Sequence, residues 1–275
     1  MSMRIWFSIG LIFTGLTITL AQRGWEVGMM GGVSYYVGDL NTNYSLKTPG
    51  HYFSAVGRYN FNSRLAAKGG LGLSRVMAND QYSSNVYERA RNLSFRSDIR
   101  EIGARIEFNF LPLIHGSKDA FFTPYLFTGL SIFSFNPEAE LDGKWVYLQP
   151  LGTEGQDIDS EYRTNSVNWQ YGLGLKISLS YEWSINIEVA SNNTLTDYLD
   201  DVSTNYPDML VLRRLRGIQA VELSDRSIDL PGIPASTIGG VGRQRGDSSN
   251  NDHYIQLSVG ILYYFGQLRC PTISR

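Results

Sequence analysis

Three histidines are the side chains in this chain best suited to nucleophilic or acid–base chemistry: His51, His115 and His253. A lipase or acyl transferase would need one of them to meet a serine and an acid at a single point. His51 and His253 each begin a stretch of alternating polarity, on its apolar side. Histidines in such positions more often lie at the level of lipid headgroups, so we predict no catalytic residue.

Two polar motifs could bind a ligand. Asp197, Asp200 and Asp201 in "TDYLDD" offer the clustered oxygens that calcium prefers, although the simpler interpretation is the start of a solvated loop. The "RGD" of residues 245–247 could mimic an adhesion motif, but a tripeptide is frequent by chance. A net charge of −2 gives no electrostatic footprint for nucleic acid. We therefore predict no metal, cofactor, nucleic-acid or small-molecule partner.

The elements that would position these residues follow from residues 171–191, "YGLGLKISLSYEWSINIEVAS". The stretch is as long as a membrane-spanning helix, but Lys176, Glu182 and Glu188 would be costly inside one. Every second residue is apolar, first from Tyr171 and then again from Trp183. Period two is typical of strands, so the stretch predicts a β-hairpin that turns near Glu182.

The same alternation recurs along the chain and predicts eight strands, an even number. Short or moderate connections alternate with four long loops, predicted at about 39–50, 76–97, 136–168 and 197–251. The last of these would be too long for a compact soluble domain. Outer-membrane barrels have this asymmetry, with short periplasmic turns and long external loops. The predicted strands start near Gly24, His51, Leu65, Asp98, Thr123, Trp169, Ser184 and Asp252.

The polar faces of these strands carry four positive and four negative side chains. The interior of an eight-stranded barrel is only wide enough to be filled by side chains, and buried charges need partners. This balance predicts a network of ion pairs in the lumen and disfavours a water-filled pore. The predicted members are Arg58, Lys68, Arg105 and Lys176 with Glu26, Glu101, Glu107 and Glu188.

The N-terminus resembles a secretory signal. Arg4 precedes an apolar run from Ile5 to Leu20, and small residues stand before Gln22. We therefore expect a signal peptide at 1–21, a barrel at 22–266 and a periplasmic tail at 267–275. The predicted fold is all-β: an eight-stranded antiparallel transmembrane β-barrel of the outer membrane, with long extracellular loops and both termini in the periplasm.

Three phrases extend this interpretation: "FNPEAELDGKWVYLQPLGTEGQ", "TDYLDDVSTNY" and the terminal "RGD…ND…YYFG…CP". They resemble the PorG-like outer-membrane barrels of Bacteroidota, which are associated with the type IX secretion system. The resemblance covers nearly the whole mature chain and implies contact with periplasmic ring components of the PorK and PorN type. The segment "GIQAVELSDRSIDLPGIPAS" departs from it, so the large fourth loop is unassigned.

Cys270 is the only cysteine and cannot form an internal disulfide. A leftover cysteine in an exported protein suggests intermolecular pairing or a reactive thiol. Since the resemblance places the partner ring on the periplasmic side, we expect the tail with Cys270 to be a docking point.

The expected function is therefore a non-enzymatic scaffold or anchor for the type IX protein secretion machinery, in contact with outer-membrane lipid. A free-standing OmpA-like or OmpX-like barrel, serving adhesion or envelope integrity, is the alternative. An outer-membrane lipid-modifying enzyme is a third possibility.

Overall fold

A computed structural model describes residues 23–266. The predicted signal peptide at 1–21 and the predicted tail at 267–275, with Cys270, lie outside the described residues. The described part consists of ten strands, three short α-helices, three single-turn 3₁₀ helices (Asp80–Tyr82, Gln149–Leu151 and Ala235–Thr237) and their connections. The strands are β1 (Gly24–Val37), β2 (Gly50–Asn60), β3 (Leu65–Asn79), β4 (Ser94–Asn109), β5 (Phe122–Ser134), β6 (Pro137–Leu141), β7 (Lys144–Tyr147), β8 (Asn165–Ser178), β9 (Trp183–Thr194) and β10 (His253–Gly266). The helices are α1 (Val86–Arg91), α2 (Met209–Arg216) and α3 (Ile218–Ser224).

Eight of the strands form a closed antiparallel barrel. Each of β1–β5 and β8–β10 pairs with its neighbours in chain order, β1 pairs with β10, and the β3–β4 pairing closes the sheet. Both ends of the described chain lie at one rim, where Gly24 pairs with Gly266. The short connections between β2 and β3, β4 and β5, and β8 and β9 lie at this turn end, and the long loops lie at the opposite, loop end. The predicted eight-stranded barrel is confirmed.

Two strands are longer than the sequence predicted. β3 and β4 continue their pairing to Asn79 and Ser94, although the predicted second loop began near Val76. Val76, Ala78 and Phe95 are buried in the apolar cluster at the loop end. Their burial extends the two strands, so the connection between them is shorter than expected.

The long loops contain secondary structure that the alternation did not predict. β6 and β7 form a hairpin whose turn residues, Asp142 and Gly143, have φ of 51° and 76°, as an Asp-Gly turn requires. In the fourth loop, the Asp208 carboxylate caps α2 by accepting from the N–H of Leu210 at 2.8 Å. The unassigned segment supplies α3, which buries Ala220 and Leu223. No helix in the range 23–266 is long and apolar enough to cross a membrane.

The barrel exterior is an apolar band. Its outward side chains include Met29, 71% exposed, and Leu130, 62% exposed. The sequence of β5 is apolar on both sides and did not predict which side faces the lumen. In the structure Tyr125, Phe127 and Phe133 are buried, while Leu126 and Ile132 are exposed on the outside. Aromatic rings form a girdle at the turn end: Trp25, Tyr59, Phe61, Phe108, Phe110, Phe121, Phe122, Trp183, Tyr263 and Phe265.

Candidate functional site

The lower half of the lumen, nearest the turn end, is filled by a network of buried ion pairs. Arg58, from β2, contacts Glu26 at 3.0 Å and Glu107 at 2.8 Å, and none of its side chain is exposed. Lys176, from β8, contacts the same Glu107 at 2.8 Å. Because these side chains come from four different strands, the network joins opposite walls of the barrel.

A second carboxylate holds the other half of the network. Glu188 pairs with Lys68 at 2.6 Å and with Arg105, and it accepts a hydrogen bond from Tyr125. Arg105 also lies 3.5 Å from Glu107, which connects the two halves. Seven of the eight predicted lumen residues therefore meet in one cluster.

Glu101 lies apart from that cluster. It forms no ion pair within residues 23–266 and instead accepts hydrogen bonds from Tyr254 at 2.9 Å, Gln170 at 3.4 Å and Gln256 at 3.5 Å. The eight charges are therefore not matched one to one: four cations meet three of the carboxylates, and the fourth is held by neutral donors.

Aromatic rings, which the alternation of polarity did not predict as neighbours of the charges, support the cations. The Lys176 ammonium lies 4.4 Å from the centre of the Tyr125 ring, and the Arg105 guanidinium lies 4.0 Å from that of Phe127. A Cβ added at Gly174 or Gly172 would come within 2.7 Å or 2.6 Å of these rings. The inward glycines of β8 thus make room for two aromatic side chains, and the pairing of small with large residues on β8 and β5 was the signal in the sequence.

The lumen is blocked at both ends as well. At the turn end, the connection between β4 and β5 inserts His115, whose ring stacks on Tyr264 at 4.3 Å and lies 3.5 Å from Glu26. Beside Glu101 a cavity of about 40 Å³ remains, which is room for only a few water molecules. At the loop end, an apolar cluster closes the barrel: Tyr36, Leu40, Val76, Ala78, Leu93, Phe95, Ile99, Phe133, Phe135, Leu199, Val202 and Tyr254.

The long loops form a folded cap over this cluster, and "TDYLDD" lies inside it. The interpretation of Asp197, Asp200 and Asp201 as a solvated loop is wrong, because all three are buried. Asp201 accepts hydrogen bonds from Thr153 and Tyr162 and lies 3.4 Å from Arg245. Within the described range, no group of three or more His, Cys, Asp or Glu side chains could hold a metal ion.

The "RGD" tripeptide is a structural element of the same cap. Arg245 is 2% exposed and pairs with Glu154 at 3.1 Å as well as with Asp201. The Asp247 N–H donates to the Asp39 carboxylate at 2.8 Å. A buried arginine cannot be presented to a receptor, so the adhesion interpretation of this motif has no support.

The Tyr36 hydroxyl bridges two carboxyls of the cap, those of Asp200 and Asp252. The Tyr36 hydroxyl lies 2.6 Å from Asp200 and 2.5 Å from Asp252. One hydroxyl hydrogen can serve only one acceptor, so one of the two carboxyls must itself carry a proton. Burial, followed by neighbouring carboxylates, raises the pKa of Asp200 well above its usual range, and burial does the same for Asp252.

The cap should accordingly lose stability as pH rises. Burial also raises the pKa of Asp39 and Asp201 to about 6 and that of Asp197 to about 7. The folded cap binds more protons than the unfolded chain from about pH 4 upward, so the free energy of unfolding falls as pH rises through 6 to 7. We expect amide hydrogen exchange in the cap to be faster at pH 8 than at pH 5, after correction for intrinsic rates. Asp252→Asn should weaken this pH dependence. Slower exchange at pH 8 than at pH 5 would contradict the claim that the folded cap binds more protons than the unfolded chain.

A closed eight-stranded antiparallel barrel with an apolar outer band, an aromatic girdle and a filled polar interior has the architecture of the small outer-membrane β-barrels. That is the class of protein that the fold and the lumen define. The chain belongs to the family described as a domain of unknown function, DUF6089, whose model matches residues 4–218.

Solved structures with a similar fold are outer-membrane barrels. The Neisserial surface protein A is 13% identical, with a TM-score of 0.44 over 89% of this chain and 99% of its own. OprG of Pseudomonas aeruginosa is 11% identical, with a TM-score of 0.40 over 90% and 98%. Ail of Yersinia pestis, solved with the heparin analogue sucrose octasulfate, is 11% identical, with a TM-score of 0.39 over 89% and 98%. No curated protein matches.

Proposed function

We propose that the protein is a non-conducting outer-membrane barrel that acts as a scaffold or anchor for the type IX protein secretion machinery. The observation that carries the first part is the filled lumen: within residues 23–266, His115 at the turn end, the ion pairs in the middle and the apolar cluster at the loop end occupy it at three successive levels. The scaffold role is supported by the sequence resemblance to the PorG-like barrels.

The exterior supports insertion in the outer membrane. A continuous band of exposed Leu, Ile, Val and Met side chains would be unusually large for a protein in water, whereas lipid tails match it. The aromatic girdle at the turn end suits the interface between lipid and water. With export through a signal peptide, the turn end faces the periplasm and the cap faces outward.

The turn end offers an ordered periplasmic surface. Arg64 donates to the carbonyl of Phe110 at 2.8 Å, which ties the β2–β3 turn to the β4–β5 connection. Exposed apolar side chains on this surface include Leu111, Ile114 and Leu179. Together with the tail that carries Cys270, this surface is the proposed docking face for ring components of the PorK and PorN type.

One observation favours the alternative, a free-standing OmpA-like or OmpX-like barrel for adhesion or envelope integrity. The long loops of this protein are folded into a cap that buries charged residues. An anchor that works only from the periplasm does not need such a cap. An outer-membrane lipid-modifying enzyme is the third candidate, and it requires turnover of a lipid by the purified protein.

Co-purification separates the first two candidates. An affinity tag inserted between Asp142 and Gly143, at the exposed tip of the β6–β7 hairpin, leaves the turn end free. We expect the intact protein to recover ring components from solubilised outer membranes. Deletion of 267–275 should reduce that recovery by about tenfold, because a loss of ~1.4 kcal/mol of contact energy changes binding by that factor. Cys270→Ser should have the same effect only if a disulfide forms the link.

Heat-modifiable mobility on gels would show that the deleted variant still folds. Undiminished recovery with the deletion would move the interface to the turns, and absence of ring components from the intact protein would favour the free-standing barrel.

A further inference from the structure

A cleft of about 620 Å³ opens on the cap, away from the lumen and from the proposed docking face. Three segments form it: the start of the first loop, helix α1 in the second loop and the end of the fourth loop. Its volume falls within the range of pockets that bind small molecules. The lining consists mostly of polar side chains, among them Thr42, Tyr44, Asn85, Tyr87, Gln244, Asn250 and Asn251.

The walls of the cleft are braced against each other. Arg91 donates to the carbonyl of Asp39 at 2.8 Å and to that of Arg245 at 2.6 Å, so it joins the first and fourth loops beneath the cleft. Tyr87 donates to the carbonyl of Gln244 at 2.9 Å, and Thr42 donates to Glu88 at 3.0 Å. Because hydrogen bonds join its walls, the cleft is already formed without a ligand, which lowers the entropic cost of binding.

The charges in the lining exclude an anionic ligand. Asp39, Glu88 and Asp247 line the cleft, and its two arginines already have partners: Arg91 pairs with Asp80 at 2.8 Å and Arg245 with Glu154 at 3.1 Å. His253 also lines the cleft, but among the described lining residues no lysine and no unpaired arginine faces it. A phosphate, sulfate or carboxylate would therefore meet three carboxylates and no permanent positive charge that is free to pair with it.

The carboxylates of the lining do not require a cationic ligand either, because they already accept hydrogen bonds within the cap. Glu88 accepts from Thr42, Ser83 and Asn85. Asp247 accepts from Ser249 and Asn250, and Asp39 accepts from the Asp247 N–H. Neutral polar groups and aromatic rings remain to contact a ligand.

Those groups suit a sugar. The Tyr44 side chain is 61% exposed at the rim of the cleft, and a flat aromatic face can stack on the C–H face of a pyranose ring. The side chains of Gln244 and Asn251 line the same cleft, and within residues 23–266 they make no hydrogen bond. Each amide offers both donors and an acceptor, which matches neighbouring hydroxyl groups.

We propose that this cleft binds a neutral saccharide, with one pyranose ring stacked on Tyr44 and its hydroxyls bonded to Gln244 and Asn251. The site lies on the outer surface only if the orientation in the proposed function holds, but binding by the purified protein does not depend on that orientation.

The test uses purified protein in detergent and saturation-transfer NMR, followed by titration of any sugar that responds. The neutral probes are an array of neutral glycans that includes lactose, maltose and N,N′-diacetylchitobiose. The charged probes are 3′-sialyllactose and arginine amide. We expect a neutral glycan to bind, and Tyr44→Ala and Asn251→Ala each to weaken it by about tenfold or more. Tyr147→Ala removes a ring of similar exposure, 53%, on the β6–β7 hairpin and should have no effect.

Three results would overturn the proposal: no neutral glycan binds, a charged probe binds more tightly than all neutral ones, or binding survives both substitutions in the cleft. A protein that binds sugar but is recovered without the membrane would refute only the proposed function. A membrane-inserted protein that binds no neutral glycan would refute only the saccharide site.

Discussion

Replacing Glu107 with glutamine is expected to lower the free energy of unfolding by about 3–5 kcal/mol. The Glu107 carboxylate is fully buried and contacts three cations: Arg58 and Lys176 at 2.8 Å and Arg105 at 3.5 Å. The amide keeps the shape of the side chain but removes its charge. The three buried cations then have one carboxylate fewer to pair with. The free-energy cost of removing them from water is therefore no longer offset.

Urea unfolding in detergent micelles, followed by tryptophan fluorescence, measures the loss. Glu140→Gln is the matched control, because Glu140 is exposed on the β6–β7 hairpin, and it should change stability by well under 1 kcal/mol. Adding Lys176→Met to Glu107→Gln removes one of the stranded cations and should recover at least ~1 kcal/mol, a coupling expected of residues in direct contact. A Glu107→Gln variant as stable as the wild type would mean that the network does not stabilise the barrel.

Arg245→Gln should open the cap and leave the barrel intact. Arg245 joins four points of the loop end: the carboxylates of Glu154 and Asp201 and the carbonyls of Asp201 and Ser224. Both carboxylates are almost completely buried. Losing their cation should destabilise the cap by about 3–5 kcal/mol, as with other broken buried pairs.

Limited proteolysis of the folded barrel detects that opening. Trypsin should cut the Arg245→Gln variant faster at Arg213, Arg214 or Arg216 in α2, while heat-modifiable mobility stays unchanged. Arg243→Gln is the control from the same loop, since Arg243 is exposed and should give the wild-type rate. Equal cleavage of the two variants would show that Arg245 does not hold the cap together.

In a strand, successive side chains point to opposite faces because of local backbone geometry alone. The alternation of polar and apolar residues was therefore enough to predict the barrel from the sequence. It placed Arg58, Lys68, Arg105, Lys176 and their carboxylates on the inner face. It gave no answer for β5, which is apolar on both sides. Tyr125 and Phe127 turn inward because Gly174 and Gly172 face them on the next strand, and that pairing depends on register between strands.

The cap was beyond the reach of the sequence because its contacts join residues far apart in the chain. Tyr36 meets Asp252 across 216 positions, and Arg245 meets Glu154 across 91. Acid-rich segments such as "TDYLDD" are normally solvated, since burying a carboxylate is costly. Here Tyr36, Thr153, Tyr162 and Arg245 supply the partners, and none of them is adjacent in sequence.

The central claim is a membrane-inserted barrel whose lumen is closed, and conductance across planar bilayers tests it most directly. Flotation with liposomes and heat-modifiable mobility of the same preparation would show that the protein inserts and folds. The lumen described above predicts no stable open state for the wild type, at low or high salt. A steady conductance that scales with salt concentration, from protein shown to be inserted and folded, would contradict the filled lumen and with it the proposed non-conducting scaffold.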